Sequence, residues 1–205
     1  MIKFWSYQEE YQNIKKVLLK SIDKSIKRGS IFFGKELKRF EKKFIKINKG
    51  NFGAAVGSGT DALIIALKSI NIQKNDEVIT VANTAIPTIS AIINVGAKPK
   101  LVDIGEDYLI DVTKIESLIN SKTKAIIPVH LYGQSCDMDV INRIAKKHNL
   151  KVIEDCAQAH GAKFKGKFVG TLGDIGCFSF YPTKILGAYG DGGFILTKNY
   201  QLYKK

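Results

Sequence analysis

The chain has 205 residues, of which 45% are hydrophobic and 25% charged, a composition typical of a globular domain and not of a disordered or fibrous chain. No window holds about 18 consecutive apolar residues, so we expect no transmembrane helix, and the charged N-terminal sequence is unlike a secretory signal. The net charge of +13 invites a nucleic-acid function. However, the lysines are scattered along helical segments, so an anionic small molecule is the favoured partner and we expect no nucleic-acid binding.

The cysteines predict a reducing compartment. Cys136, Cys156 and Cys177 form no CxxC pair, and an odd count without a secretion signal indicates free thiols in the cytoplasm. Cys156 and Cys177 lie in apolar, strand-like contexts, where a small buried hydrophobic residue is the expected role. A zinc site would need more clustered Cys and His ligands, so we expect no metal.

The order of apolar patterns predicts an α/β fold. Helical periodicity indicates two amphipathic helices over residues 8–28 and 35–47. From residue 52 onward, short apolar runs alternate with helical stretches, which indicates βαβ units and a seven-stranded, mostly parallel sheet with helices on both faces. The predicted strands are Phe52–Val56, Val78–Val81, Lys100–Asp103, Ala125–His130, Lys151–Glu154, Gly176–Phe180 and Gly193–Thr197. The predicted helices between them are Thr60–Ile70, Pro87–Val95, Val112–Asn120 and Met138–His148. The last two strands have no long crossover between them, which favours an antiparallel final strand.

A glycine-rich turn follows the first predicted strand. In open α/β sheets, ligands bind beyond the carboxyl ends of the strands. Gly57-Ser58-Gly59-Thr60 lies there and opens a helix, so backbone N–H groups and the Thr60 hydroxyl could hold an anion. The alternative is a simple helix cap by Ser58 or Thr60. The turn matches neither a Walker loop nor the GxGxxG dinucleotide motif.

Two charged residues follow later strands. Asp155 closes the strand that begins at Lys151, and a buried carboxylate there is costly unless it pairs, for example with a protonated ring nitrogen; the alternative is a helix cap. Lys184 lies just past another apolar strand, with several glycines close behind, and a partly desolvated lysine can attack a carbonyl. The alternative is a solvated surface lysine. An anion cup, a strand-end acid and a reactive lysine at one sheet edge are together what pyridoxal phosphate requires.

Six stretches of the sequence carry a resemblance to a known family. They are GSGTDALIIAL (57–67), NDEVIT (75–80), PVHLYGQSCDMD (128–139), VIEDCAQAHGA (152–162), GDIGCFSFYPTK (173–184) and GAYGDGG (187–193). In order and spacing, from about residue 4 to the end, the chain resembles the DegT/DnrJ/StrS sugar aminotransferases, which are pyridoxal-phosphate enzymes of the aspartate-aminotransferase fold. The resemblance implies a fold type I large domain over residues 35–205, preceded by a helical arm over residues 1–34. Family members are nearly twice as long, so their smaller C-terminal domain is expected to be absent from this chain.

The resemblance also implies roles for individual residues. Lys184 would bind the cofactor aldehyde covalently and later move protons, Asp155 would pair with the pyridine nitrogen, and Gln158 would contact the ring-hydroxyl side. The phosphate would be held by Gly59, Thr60 and Ser179. No role is assigned to His130 or His160, although both lie in matching motifs.

Two positions depart from the family pattern. The family often has an aromatic residue stacked on the cofactor ring, and here Ala85 stands at that position in Thr84-Ala85-Ile86-Pro87-Thr88. Stacking would then be weaker or would come from elsewhere. Ile185 follows the lysine, where the family often has Asn.

The activity implied by the resemblance is transfer of an amino group, with glutamate the expected donor, to a nucleotide-linked keto-sugar for cell-surface polysaccharide or related amino-sugar biosynthesis. A homodimer is expected for the full-length form. The alternatives are a catalytically incomplete fragment that binds pyridoxal phosphate, a regulatory pyridoxal-phosphate protein and a basic binding module. The sequence leaves the ketone position (C3 or C4), the nucleotide and the pathway open.

Overall fold

The computed structural model describes residues 6–29 and 32–205. The chain divides into two compact units, residues 1–40 and 41–205. The described part of the first unit contains helix α1 (Tyr7–Lys27) and the beginning of α2 (Lys35–Ile47), so both N-terminal helices predicted from the sequence are present. Helix α1 begins after Ser6, whose hydroxyl accepts a hydrogen bond from the Glu9 N–H and so satisfies one free donor of the first turn.

The second unit is an α/β structure built on a seven-stranded sheet. Its elements in chain order are β1 (Phe52–Val56), α3 (Gly59–Ser69), β2 (Glu77–Val81), α4 (Ile86–Asn94), β3 (Lys98–Val102), α5 (Val112–Ile115), β4 (Thr123–Ile127), α6 (Met138–Lys147), β5 (Lys151–Asp155), β6 (Lys163–Phe164), β7 (Lys167–Phe168), β8 (Ile175–Ser179), β9 (Gly193–Thr197) and α7 (Tyr200–Lys204). The large sheet has the order β1-β9-β8-β5-β4-β2-β3, and β6 and β7 form a separate hairpin.

The pairing confirms a mostly parallel sheet. Strand β9 runs antiparallel to both β1 and β8, as the short connection before it suggested, and the other neighbouring strands of the large sheet pair parallel. Every residue of β8 is buried. Because successive side chains of a strand point to opposite faces, this burial means that both faces of the sheet centre are covered.

Two predicted elements are shorter in the structure. The helix predicted to reach Asn120 ends at Ile115 and continues only as a 3₁₀ turn over Glu116–Leu118. The Asn120 amide donates to the Glu77 carboxylate at 2.7 Å, which joins the segment before β4 to the start of β2. The strand predicted to reach His130 ends at Ile127, just before a proline that has no N–H to donate.

The β6–β7 hairpin and α7 were not predicted. A two-residue loop joins the hairpin strands, with Lys165 at φ 48° and Gly166 at φ 78°. Two positive φ values are typical of the tight turns that join such strands, and the Lys-Gly dipeptide between two Lys-Phe pairs is the sequence feature that could have indicated it. Within the described ranges, no helix is both long and apolar enough to cross a lipid bilayer.

Candidate cofactor site

A cavity of about 260 Å³ opens at the carboxyl edge of the sheet. Its walls come from the segments that follow β1, β2, β4, β5 and β8 and from the residues just before β9. This is the edge at which open α/β sheets bind ligands. All seven residues proposed from the sequence line this one cavity: Gly59, Thr60, Ala85, Asp155, Gln158, Ser179 and Lys184.

One end of the cavity is the N-terminus of α3. Ser58 is the N-cap, and its hydroxyl oxygen accepts the Asp61 N–H at 3.0 Å, so the capping role considered for Ser58 is confirmed. Gly59 and Thr60 are the first two helical residues, whose N–H groups have no partner within the helix. These N–H groups and the positive end of the helix dipole favour an anion at this end of the cavity.

Ser179, the last residue of β8, lies directly against this helix end. A Cβ added to Gly59 would lie 2.7 Å from the Ser179 Cβ, so the close approach of the strand and the helix requires glycine here. The Ser179 hydroxyl oxygen accepts the Tyr181 N–H at 3.2 Å, which leaves its proton free to be donated to a ligand. The end of β8 therefore adds a hydroxyl donor to the backbone donors of α3.

Asp155 is a buried carboxylate in the cavity wall. One oxygen accepts the Ala157 N–H at 3.1 Å and the other accepts the Thr88 hydroxyl at 2.8 Å. No helix follows Asp155, so the helix-cap alternative is wrong; the side chain caps a turn instead. Burial raises the pKa of this carboxyl, and the positive charge of Lys184 acts in the opposite direction.

Lys184 is half-buried and lines the same cavity, so it is not a fully solvated surface lysine. A tight loop fixes its backbone: the Lys184 N–H donates to the Tyr181 carbonyl at 2.8 Å, and the Ala188 N–H donates to the Phe180 carbonyl at 2.7 Å. Gly187 permits the loop, because a Cβ there would collide with the Pro182 carbonyl. Among the described residues, no ion pair engages the Lys184 amine.

Gln158 is oriented by an unusual backbone. Its side-chain oxygen accepts the Tyr132 N–H at 3.0 Å. Tyr132 has φ 57°, a left-handed backbone conformation that residues other than Gly, Asn and Asp rarely adopt. With its oxygen occupied in this way, the Gln158 amide has its N–H₂ group left to donate to a ligand oxygen.

Ala85 lies at the cavity immediately before α4, where it is the N-cap without a side-chain capping bond. Its position is exposed, and its methyl group offers far less area for stacking than an aromatic ring would. The structure thus places this predicted residue at the cavity.

Thr84 and Thr88, which the sequence analysis gave no role, also line the cavity. Their hydroxyl oxygens lie 2.7 Å apart, and Thr88 reaches Asp155. The spacing of four residues, which places two side chains on the same side of a helical turn, was the feature that could have indicated the pair.

A buried cluster behind the cavity joins His130, Glu154 and Cys156, whose ligand atoms lie within 4.8 Å of one another. The sequence gave no indication of this cluster. His130 Nδ1 accepts the Cys136 N–H at 3.1 Å, so Nε2 carries the proton and donates to Glu154 at 3.0 Å. The Glu154 carboxylate also accepts the backbone N–H groups of residues 170, 172 and 173. Because protein donors already surround its oxygens, the cluster is better suited to bracing the fold than to holding a metal ion.

His160 packs beside the aromatic rings of Phe178 and Phe180, each with its centroid 5.6 Å away. Burial and then the positive charge of Lys184 lower the pKa of this imidazole to about 4. His160 is therefore neutral at pH 7.

The residues present fit pyridoxal phosphate. The helix end with Ser179 suits a phosphate, the buried Asp155 carboxylate suits a protonated ring nitrogen, and the Lys184 amine suits an aldehyde. A volume of about 260 Å³ is near the lower limit of about 300 Å³ for ligand pockets.

Comparison with known proteins gives a family and solved relatives. The DegT/DnrJ/EryC1/StrS aminotransferase family model matches residues 12–205. A dTDP-3-amino-3,6-dideoxy-alpha-D-galactopyranose transaminase of Aneurinibacillus thermoaerophilus is 47% identical over 206 residues, which are 100% of this chain and 57% of that protein.

Two crystal structures share the fold. DesV of S. venezuelae, solved in complex with a ketimine intermediate, has a TM-score of 0.95 and 36% identity over 99% of this chain and 55% of its own. NtdA of Bacillus subtilis, with bound cofactor PMP, has a TM-score of 0.87 and 37% identity over 96% of this chain and 44% of its own. The chain thus spans about half the length of the relatives it matches.

These likenesses agree with the geometry of the cavity. The architecture is that of the fold type I pyridoxal-phosphate enzymes, and pyridoxal phosphate, whose amino form is PMP, is the cofactor that the family and its solved members indicate. Over all but its first residues, the chain belongs to the DegT/DnrJ/EryC1/StrS aminotransferase family.

Proposed function

We propose that residues 35–205 are the cofactor-binding large domain of a pyridoxal-phosphate aminotransferase acting on a nucleotide-linked keto-sugar, with residues 1–34 as an N-terminal arm. The observation that carries the proposal is the single cavity shared by Lys184, Asp155 and the N-terminus of α3. These elements come from separate parts of the chain, and each offers a different group to the same ligand. The smaller C-terminal domain typical of the family is not part of the proposed domain.

Lys184 is the catalytic residue of this proposal. Its amine would hold pyridoxal phosphate through the aldehyde carbon, with the aldehyde oxygen lost as water, and, when free, the amine would take a proton from the donor's α-carbon and return it to another atom. When bound, pyridoxal phosphate supplies a ring that accepts the electrons released at that carbon. The loop from Phe180 to Ala188 keeps the lysine at the cavity during these proton movements.

The other residues bind and orient the cofactor. Asp155 would keep a proton on the ring nitrogen, and this ion pair would offset the desolvation that raises the carboxyl pKa. Gln158 would donate its amide N–H to the ring-hydroxyl oxygen. The phosphate would be held by Gly59, Thr60 and Ser179, and Ala85 would lie on the side of the ring.

The substrates follow from the family. Relatives of this chain are named as transaminases of dTDP-linked and UDP-linked sugars and as a spore coat polysaccharide biosynthesis protein. The net charge of +13 suits a diphosphate-bearing substrate. We propose glutamate as the amino donor, a homodimer as the assembled form, the cytoplasm as the location, and cell-surface polysaccharide or related amino-sugar biosynthesis as the process.

Replacing Lys184 with alanine tests the proposal. We expect the wild-type chain to develop a visible absorbance band with pyridoxal phosphate. After borohydride reduction, mass spectrometry should find one cofactor covalently bound to the peptide that contains Lys184. The K184A variant should lose both, because no other lysine in the described part of the chain lines the cavity. Lys68→Ala, at an exposed position of α3, is the matched control and should keep both. Reduction that labels other lysines equally would contradict the proposal.

Amino transfer from glutamate to a nucleotide keto-sugar is a second measurement on wild type, K184A and K68A. Transfer by the wild-type chain and by K68A, but not by K184A, supports the full activity. Specific labelling of Lys184 without any transfer would favour the alternative of a catalytically incomplete, cofactor-binding fragment.

A further inference from the structure

Two threonine hydroxyls form a chain that ends on Asp155. The Thr84 and Thr88 oxygens are 2.7 Å apart, and the Thr88 hydroxyl donates to Asp155 Oδ2 at 2.8 Å. An ionised carboxylate can only accept hydrogen bonds, so the single hydroxyl proton of Thr88 is donated to Asp155. The Thr88 oxygen is then the acceptor of the Thr84 proton, and both hydroxyls point toward the acid.

The start of α4 explains why the two side chains meet. Helix α4 begins after Ala85, whose methyl side chain cannot cap it, and the Thr88 N–H donates to the Ala85 carbonyl at 3.2 Å. Thr84 therefore stands one turn before Thr88. Thr88 is 1% exposed, so its hydroxyl has no access to bulk water and depends on these partners.

We propose that Thr88, backed by Thr84, is a positioning residue that fixes the Asp155 carboxylate for the ring nitrogen of the cofactor. The inference rests on the proposed function, because it assigns to Thr88 a role in the same cofactor site. Thr88 acts through Asp155 and is not assigned a contact with the reacting atoms.

The two oxygens of Asp155 are held from different sides. The Ala157 N–H holds Oδ1 and the Thr88 hydroxyl holds Oδ2, which fixes the plane of the carboxylate while leaving each oxygen with capacity to accept a further proton donor. Because the hydroxyl donates a hydrogen bond to the ionised carboxylate, the contact favours that form and lowers the pKa of Asp155, against the effect of burial. Removing the hydroxyl should therefore raise this pKa.

Other groups act on the same carboxylate. Lys184, after β8, and His130, after β4, favour its ionised form. The Cys156 thiol lies just after β5 and the Cys177 thiol on β8, and burial raises the pKa of each thiol well above its ordinary value, so both are neutral. Glu154 precedes it on β5. All of these groups are unchanged in a Thr88 variant, so a shift in such a variant reports on the hydroxyl alone.

A pair of substitutions separates the hydroxyl from the packing. Thr88→Val keeps the branched shape and removes the hydroxyl, whereas Thr88→Ser keeps the hydroxyl and removes the methyl group. The measurements are the dissociation constant of pyridoxal phosphate and the pH dependence of its visible absorbance when bound. We expect T88V to bind about tenfold more weakly, the effect of losing one hydrogen bond to a charged group. T88V should also release the cofactor at a different pH from that of wild type.

T88S should keep both the affinity and the pH profile of wild type, even if its melting temperature falls. Equal affinity and equal pH profiles for T88V and wild type would overturn the inference. The same holds if T88S is as impaired as T88V, since packing would then explain both. If T88V does not fold, Thr84→Val, at a half-buried position, must shift the pH profile relative to wild type, and no shift overturns the inference. A wild-type chain that binds no cofactor would instead refute the proposed function itself.

Discussion

Gly59 lies at a point of the cavity wall where there is no room for a side chain. Its neighbour Ser179 would lie 2.7 Å from an added Cβ, and the contact involves the rigid start of a side chain on a buried strand. Gly59→Ala should push α3 and β8 apart at the proposed phosphate site. We expect the affinity for pyridoxal phosphate to fall at least about tenfold, since charge-assisted hydrogen bonds to the phosphate would be lost.

Titration with pyridoxal, which lacks the phosphate, shows whether the effect of G59A is confined to the phosphate site. Its weaker binding should change little between wild type and G59A if Gly59 serves the phosphate alone. Gly105→Ala is the control, because Gly105 lies in a loop outside the cavity and a Cβ there would approach only the Asp107 side chain. An equal loss for both ligands would mean that the substitution disturbs the whole cavity.

At the scale of single residues, the sequence indicates groups whose chemistry is explicit and misses those that act through partners. Asp155 and Lys184 are recognisable because a charged side chain at the end of a buried, apolar strand is unfavourable unless it has a partner. Thr88 and Tyr132 are not, because the four-residue spacing of Thr84 and Thr88 indicates at most that the two threonines pair, and a tyrosine in a loop has no unusual local pattern. Their importance depends on contacts with residues far away in the chain, Asp155 and Gln158.

Among the elements, β5 is tied to its neighbours by the Glu154 carboxylate. It accepts hydrogen bonds from His130, beyond β4, and from the N–H groups of residues 170, 172 and 173, which precede β8. In Glu154→Gln, one acceptor oxygen becomes an N–H₂ group that faces backbone donors. We expect the free energy of unfolding to fall by about 3 kcal/mol, because buried donors lose their partner.

Urea denaturation of E154Q measures this loss, with Glu106→Gln at an exposed position as the control. The control should match wild type. If E154Q is as stable as its control, the carboxylate does not brace these elements, and the buried cluster needs another explanation.

The helices and strands differ in whether the local sequence or a tertiary contact determines where they begin and end. Strands β5, β8 and β9 follow from apolar runs, because a strand buried on both faces must be apolar nearly throughout. The end of α5 at Ile115 does not, because the sequence through Asn120 contains no proline or glycine, and beyond the helix the chain is held by the bond from Asn120 to Glu77 on another strand. A tertiary contact of this kind has no local signature.

For the molecule as a whole, the candidate site is a cost to folding in the absence of its ligand. Asp155 lies in the cavity wall with its pKa raised by burial. A carboxyl group with a raised pKa in the folded state favours folding least when it is ionised. The cofactor's ring nitrogen, once paired with Asp155, would offset this cost.

The sign of this cost predicts the behaviour of Asp155→Asn. The folded-state pKa lies above the ordinary value of 3.8, so the cost is absent below that value and grows as the pH rises through the folded-state pKa. Asparagine does not titrate. The cofactor-free variant should therefore melt at a higher temperature than wild type near neutral pH, by about 2–4 °C for each kcal/mol recovered, and the difference should shrink in acid.

Thermal melts of both cofactor-free proteins across this pH range test the argument, with pyridoxal phosphate added in a parallel series. The cofactor should stabilise wild type more than D155N, because the variant keeps Lys184 and the phosphate site but offers no charge to the ring nitrogen. The series without cofactor measures how Asp155 affects the stability of the protein, and the series with cofactor measures how Asp155 affects binding. A variant less stable than wild type at neutral pH would show that the hydrogen bonds from Thr88 and Ala157 outweigh desolvation, and that Asp155 is not held at a cost.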